Sequence, residues 1–402
     1  MMNHMNRMFS NKIQLSLFLC LSMCLGIGIL RFSYTALLPS TRLAYGWDTN
    51  FASILSSANL LGYLIGAFWA MKLPQNATMP RYILIAAFSG AISLLSCAFS
   101  GLHETWYVFW RVISGISGGL LMILSPSVVA QCCKAEDRLT INFIGFSGIG
   151  IGVLLATLFL PYLDRISTQS AWLILFAFST LICLVITYLL SIFKSHLSQI
   201  SAAPQHINSV NGMYLSLLIV YASSAFAYVP HSLFWIDYLK NTLHLNLSFI
   251  NLNWILYGSG SALGAISAFL LARKFGNFTA LKILYSLYVL AILVAIFSTI
   301  PIFTYISSFF TGLLNPAVVF LTSYTILQLY GMAYKKLWSM ATLAFAITQL
   351  IGGICFSVLQ HWGVSYHQQF ILASAVLCIG TVQFLVYSQI NRAQIHNNSN
   401  ES

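Results

Sequence analysis

LLGYLIGAF (60–68) returns later in the chain as GSGSALGAI (258–266): Gly62 and Gly66 fall on Gly260 and Gly264, an offset near 198, and Phe51 falls on Phe249. Both segments are apolar apart from small residues, and glycine at four-residue spacing lets helices approach closely in lipid. Further on, SG (114–115) and LSPSVVAQ (124–131) answer TG (311–312) and LTSYTILQ (321–328). GxxxG alone is common in membrane helices, but its return at a matching place in both halves predicts two like bundles arranged in parallel. That pattern organises the reading of everything around it.

Composition agrees. Of 402 residues, 59% are apolar and 6% charged, with 18 Lys+Arg against 7 Asp+Glu, and the mean hydropathy is +0.84. A soluble surface needs roughly 25–35% charged residues, so a soluble enzyme and a disordered chain are excluded. The formal net charge of +11 does not point to nucleic acid, because the basic residues recur in short groups between apolar runs and form no basic stripe. The eight cysteines (20, 24, 97, 132, 133, 183, 355 and 378) lie in apolar runs or at their ends without CxxC spacing. They read as small packing residues, with no disulfide framework or metal site indicated.

A membrane-spanning helix needs about 20 mostly apolar residues. Such windows fall at 13–40, 50–71, 81–100, 105–132, 140–162, 170–193, 212–238, 248–272, 278–300, 302–330, 338–362 and 368–390. The first runs on into Arg31 and Pro39 without a small-residue cleavage site, so it reads as a retained span and not as a signal peptide. Placing the N-terminus in the cytoplasm puts thirteen basic residues on that side, Lys72, Arg81, Lys134, Arg138, Arg273 and Lys274 among them, and only Arg42, Arg165 and Lys240 on the other. This asymmetry predicts that both termini are cytoplasmic. The polar run KSHLSQISAAPQHINSVN (194–211) reads as a cytoplasmic linker between a bundle at 1–193 and another at 212–390, with a cytoplasmic tail at 391–402. The expectation is an all-α membrane protein of 12 transmembrane helices in two pseudo-symmetric six-helix bundles.

GIGILRFSYTALLP (26–39), SANLLGYLIGA (57–67) and FWRVISGISGG (109–119) carry a resemblance to the major facilitator superfamily, and within it to the YbfB/YjiJ-like subgroup. The superfamily likeness covers nearly the whole chain, and the subgroup motifs mainly spans one, two and four. The resemblance implies the major facilitator fold, alternating-access transport of a small-molecule solute, no cofactor, a monomeric carrier, and an address in the lipid bilayer of a bacterial inner membrane. Two departures stand out. The superfamily's acidic and basic loop between spans two and three is reduced to GAFWAMKLP (66–74) and, in the second half, ARKFGN (272–277). Span five, GFSGIGIGVLL (145–155), lacks the proline-containing motif of drug antiporters, which weakens an inference to drug–proton exchange.

Inside the spans only Arg31 and Arg111 are clearly intramembrane cations. Each costs a few kcal/mol, about 2.5–3.5 on insertion scales, unless paired or hydrated. At similar depth on spans one and four, which line the superfamily's cavity, they form a candidate anion site suited to bidentate recognition of a carboxylate or phosphate. The competing reading has Arg111 snorkelling to the interface and Arg31 bonding carbonyls or hydroxyls. Tyr34, Asn59, Tyr63, Tyr228, His231 and Asn315 complete the candidate substrate-binding set, each with a helix-to-helix packing role as its alternative. No carboxylate sits mid-membrane, so His231 and the outer-end Asp237 are the candidates for coupling protons, should the carrier use them. For His231 a neutral packing role weighs more. For Asp237 a gate or surface role competes evenly.

A primary pump is disfavoured, because GxxxxGK[ST] is absent. An intramembrane enzyme would need a metal constellation or an activated nucleophile. HExxH is absent, and the Ser and Gly residues of ISGISGGL (113–120) read as small-residue packing. A non-transporting receptor or sensor remains the third class, without a sizeable soluble domain to support it. The sequence therefore predicts a secondary active or facilitative transporter of a small organic solute, with an anion as its candidate charge type.

Overall fold

The computed structural model describes residues 2–76, 78–163, 167–197 and 212–400. Among them there is no strand, and apolar composition and length make twelve membrane-crossing helical runs. The first run joins α1 (Met2–Met23) to α2 (Leu30–Tyr45) through a π-helical turn at Cys24–Ile29. Then follow α3 (Thr49–Lys72), α4 (Met79–Ser96), α5 (Glu104–Cys132), α6 (Arg138–Leu163) and α7 (Thr168–Leu197). The seventh run joins α8 (Gly212–Val229) to the short α9 (Trp235–Asp237) through a π turn at Pro230–Phe234 and ends in a second π turn at Tyr238–Thr242. The remaining five are α10 (Leu247–Phe275), α11 (Asn277–Leu293), α12 (Pro301–Tyr330), α13 (Tyr334–His361) and α14 (Tyr366–Asn400).

Helix ends are set by ordinary caps. The Asp48 carboxylate accepts from the Phe51 amide at 2.6 Å, and the Asn246 side chain accepts from Phe249 at 2.9 Å, so the repeat extends to the cap of its own helix. The tenth and eleventh crossings form one 61-residue apolar stretch, divided only by the 3₁₀ turn Gly331–Ala333. Gly331 supplies the positive φ (47°) that reverses the chain.

The two halves pack by one scheme. In the first, α3 pairs with α5, α1 with α6, and α4 with α5 and α7; in the second, α10 pairs with α12, α8 with α13, and α11 with α12 and α14. Across the halves α6 meets α10 and α3 meets α13. The repeated glycines make the α3–α5 and α10–α12 pairs possible. A Cβ on Gly62 would stand 2.1 Å from the Val112 carbonyl oxygen, and one on Gly260 2.1 Å from that of Phe309. The helix backbones therefore touch, which in lipid substitutes van der Waals contact for the hydrophobic drive that water would supply.

Most of the expected linker, 198–211, and Arg165 lie outside the described residues. The first and seventh runs are longer than the windows 13–40 and 212–238, and each contains π turns that an apolar-window reading does not register. In the seventh, Pro230 opens the turn; in the first, the turn holds Gly26 and Gly28.

Candidate functional site

Arg31 stands two residues past the π turn Cys24–Ile29, where the Leu30 amide bonds the Leu25 carbonyl five residues back. A π turn rotates the following helix out of its former register, and such bulges cluster at functional positions. Here the turn delivers Arg31 to a central cavity of about 40 Å³ between the halves. The first half contributes Ile27, Arg31, Phe32, Tyr63, Met122, Ile149 and Val153 to its wall, and the second Tyr221, Tyr228, Tyr257, Ser261, Asn315, Pro316, Val319 and Phe345. Arg31 is the one charged side chain in that lining. Among the described residues it has no carboxylate partner, and its charge lies within electrostatic reach of the Tyr63, Tyr228 and Tyr257 hydroxyls.

The opposite wall is aromatic and neutral-polar. The Tyr228 and Tyr257 hydroxyls bond to one another. Tyr257 stacks on Trp254, with ring centroids 5.1 Å apart and planes 8° from parallel, and faces Phe32 of the other half at 6.2 Å. The Asn315 side-chain oxygen is buried without a hydrogen-bond partner. A buried acceptor left without a partner is costly in a protein interior, and binding a ligand is one way to satisfy it.

Arg111 has a different place. It is 3% exposed and does not line the cavity. Its Nη1 donates to the Leu30 carbonyl at 3.3 Å and its Nε to the Leu55 carbonyl at 3.5 Å, while the guanidinium lies 4.0 Å over the Tyr34 ring. Tyr34 in turn donates to the Ala52 carbonyl, Asn59 donates to the Arg111 carbonyl, and Ser114 adds a second donor to Leu30. Arg111, Tyr34 and Asn59 thus form one cluster that ties spans one, two and four together behind the cavity. The sequence expectation is of two guanidiniums facing one crevice; the cavity lining includes Arg31 and not Arg111, whose guanidinium is taken up by main-chain carbonyls and the Tyr34 ring.

His231 lies in the second half, buried and outside the cavity lining. It stacks on Trp235 at 4.6 Å, and its Nε2 is 2.7 Å from Ser307 Oγ. Ser307 donates its own proton to the Ala291 carbonyl, so it accepts from His231 Nε2–H, while Nδ1 has no hydrogen-bond partner among the described residues. Asp237 sits exposed at the end of the same run, accepting from Asn241 at 2.6 Å and from Tyr366 at 2.7 Å. Of the nine residues singled out in the sequence, the cavity gathers Arg31, Tyr63, Tyr228 and Asn315.

Tyr257, Ser261, Tyr221 and Phe345 were missed. The first two were within reach of the repeat: the 198-residue offset carries Asn59 to Tyr257 and Tyr63 to Ser261. Tyr221 and Phe345 carry no comparable signal. Ser117, the serine of ISGISGGL, bonds Ile113 and Ser89, as a packing serine does.

Twelve apolar helices among the described residues, in two like halves that close on a cavity lined by Arg31, define an integral multi-pass membrane transporter of major facilitator type. The chain belongs to the family described as the uncharacterised MFS-type transporter YbfB, whose model matches residues 23–385. It is similar in fold to the proton:xylose symporter XylE bound to 6-bromo-6-deoxy-D-glucose (TM-score 0.75, 16% identity, covering 95% of this chain and 96% of that one). It is also similar to the human organic anion transporter MFSD10 (0.73, 16%, 93% and 99%) and to a bacterial homologue of the iron transporter ferroportin in its outward-facing state (0.71, 15%, 94% and 99%). At these identities the likeness is one of fold. A glucose transport protein from Synechocystis is 29% identical over 131 residues, a match spanning 31% of this chain and 27% of that relative.

Proposed function

We propose that the protein carries a small organic anion across a bacterial inner membrane by alternating access, with Arg31 holding the anionic group. One observation carries this reading: the Arg31 guanidinium, 5.9 Å over the Phe32 ring and without a carboxylate partner among the described residues, is the one charge in an otherwise neutral, largely aromatic and apolar wall. A planar fork in such a setting favours a carboxylate or a phosphate. The Tyr228–Tyr257 pair and Asn315 supply hydroxyl and amide contacts from the facing half, and the surrounding rings suit an apolar or ring-bearing body. As it stands, the cavity, at about 40 Å³, is far smaller than the roughly 300–1,000 Å³ pockets that hold organic ligands. Entry therefore requires the halves to part, and the solute shifts the balance of states only by as much as it prefers one of them.

In this reading the thirteen-to-three distribution of basic residues places both termini in the cytoplasm, with 194–211 linking the halves. Tyr34, Asn59 and Arg111 shape the first half, and His231 with Asp237 supports the second, leaving proton coupling to be measured and not assumed. Among the described residues no three His, Cys, Asp or Glu side chains come together, so a metal ion is a poorer fit to the donor set.

The test is counterflow in proteoliposomes across a panel of carboxylates, phosphate esters, amino acids and neutral sugars. Exchange of an anion that Arg31→Ala abolishes supports the reading. Exchange of a neutral sugar that survives Arg31→Ala overturns it in favour of an uncharged solute.

A further inference from the structure

Two hydrogen bonds cross between the halves at the end of the bundle where α3 finishes and α13 begins. Trp338 Nε1 donates to the Met122 carbonyl at 3.0 Å, and the Lys335 ammonium donates to the Leu73 carbonyl. Both acceptors are free for a physical reason. Met122 lies four residues before Pro126, which has no N–H to return to it, so the α5 ladder is open at that carbonyl. Leu73 is the extended residue that ends α3 (ψ 144°), and its carbonyl lies beyond the helix. Lys335 is 4% exposed and has no carboxylate partner among the described residues, so this carbonyl is what holds its charge. Around the pair, Phe143 stacks on Phe269 across the halves at 4.5 Å, and Phe146 packs on Phe320 and Trp338.

We propose that Trp338–Met122 and Lys335–Leu73 form a latch that keeps this end of the transport path shut, and that it is built to open. A carbonyl released by proline and one released by a helix end can lose their partner without breaking a helix, whereas an intrahelical bond cannot. Met122 belongs to both parts of the device, since its side chain lines the cavity while its carbonyl holds the latch. A solute that displaces Met122 therefore acts directly on the closure. Each bond lost raises the ratio of open to closed states at this end by about fivefold.

Hydrogen–deuterium exchange on the full-length protein in nanodiscs tests this without a known solute. Trp338→Phe keeps the ring and removes the N–H, and Lys335→Met removes the ammonium; Lys335→Arg retains a donor and serves as the conservative variant. The latch predicts that either loss raises exchange in 66–76, 128–140 and 328–340 and lowers it in 40–52 and 238–250 at the opposite end, because one end closes as the other opens. Lys335→Arg is expected to match the parent. Unchanged exchange in the Trp338→Phe, Lys335→Met double variant overturns the proposal, and so does a rise at both ends, which marks general loosening. If the double variant fails to fold, the decision falls to Trp338→Phe alone, read against the same two outcomes.

Discussion

Arg111 Nη1 donates to the Leu30 carbonyl at 3.3 Å, one peptide away from Arg31. The cation in the cavity is thus aimed by the cation behind it. Arg111 fixes the end of the π turn, and its second contact, to Leu55, holds α3 against the same point. Two guanidiniums at similar depth in the sequence divide the work between recognition and support.

Arg111→Lys is the informative change, because one ammonium cannot span both carbonyls and also lie flat on Tyr34. Losing one charge-assisted bond from a buried site costs about 1–3 kcal/mol. Thermal unfolding of the purified variant is expected to show a lower midpoint, and counterflow a weaker apparent affinity with turnover at saturation largely kept. An unchanged midpoint together with unchanged affinity would remove Arg111 from this role.

Arg31 predicts the reverse pattern. A half-buried cation within an apolar helix, with no carboxylate partner among the described residues, is held for function at the expense of stability, so Arg31→Met should abolish anion exchange while stabilising the fold by about 0.5–2 kcal/mol. Differential scanning fluorimetry beside counterflow reads both. Loss of stability in this variant would mean that Arg31 is a structural group.

Glycine at the repeated contacts has no tolerated replacement. A valine at Gly62 or Gly260 puts its Cβ about where a carbonyl oxygen of the partner helix lies, 2.1 Å away in each case. Overpacking of this kind costs about 1–3 kcal/mol where side chains can give, and backbone cannot. Each variant should therefore lose its monodisperse peak in size-exclusion chromatography. Gly353→Ala is the matched control, since its added carbon meets nothing closer than 3.6 Å. It should retain the parent profile and gain a few tenths of a kcal/mol to about 1 kcal/mol of helix stability.

These outcomes follow from features of unequal visibility in the sequence. The fold was legible because burial in lipid demands long apolar helices, and because the close contacts of α3 with α5 and of α10 with α12 recur as glycines at a constant offset. Arg31 was legible because a charge in an apolar run is expensive. The different role of Arg111 was not, since composition records that a cation is buried and not which carbonyl it meets. The latch was half visible: Pro126 stands in the quoted run LSPSVVAQ, but the donor that answers it, Trp338, comes from 212 residues away. Long-range pairs of this kind leave no local pattern.

His231 gives the sharpest remaining choice between a structural and a proton-handling role. Its Nε2–H bond to Ser307 ties the π turn Pro230–Phe234 to α12, and Trp235 and Phe370 enclose the ring. If that bond is what the site needs, His231→Gln should serve, because the glutamine amide places a donor near the Nε2 position and cannot ionise in the working range. His231→Ala, which removes both the donor and the ring contacts, should instead lower stability by about 2 kcal/mol or more. Transport by His231→Gln is then expected to match the parent at every pH from 5 to 8, including any solute-driven pH change inside proteoliposomes loaded with a pH dye. A variant that still exchanges solute but no longer moves protons would show that the imidazole itself takes up the proton, and would return His231 from scaffold to coupling group.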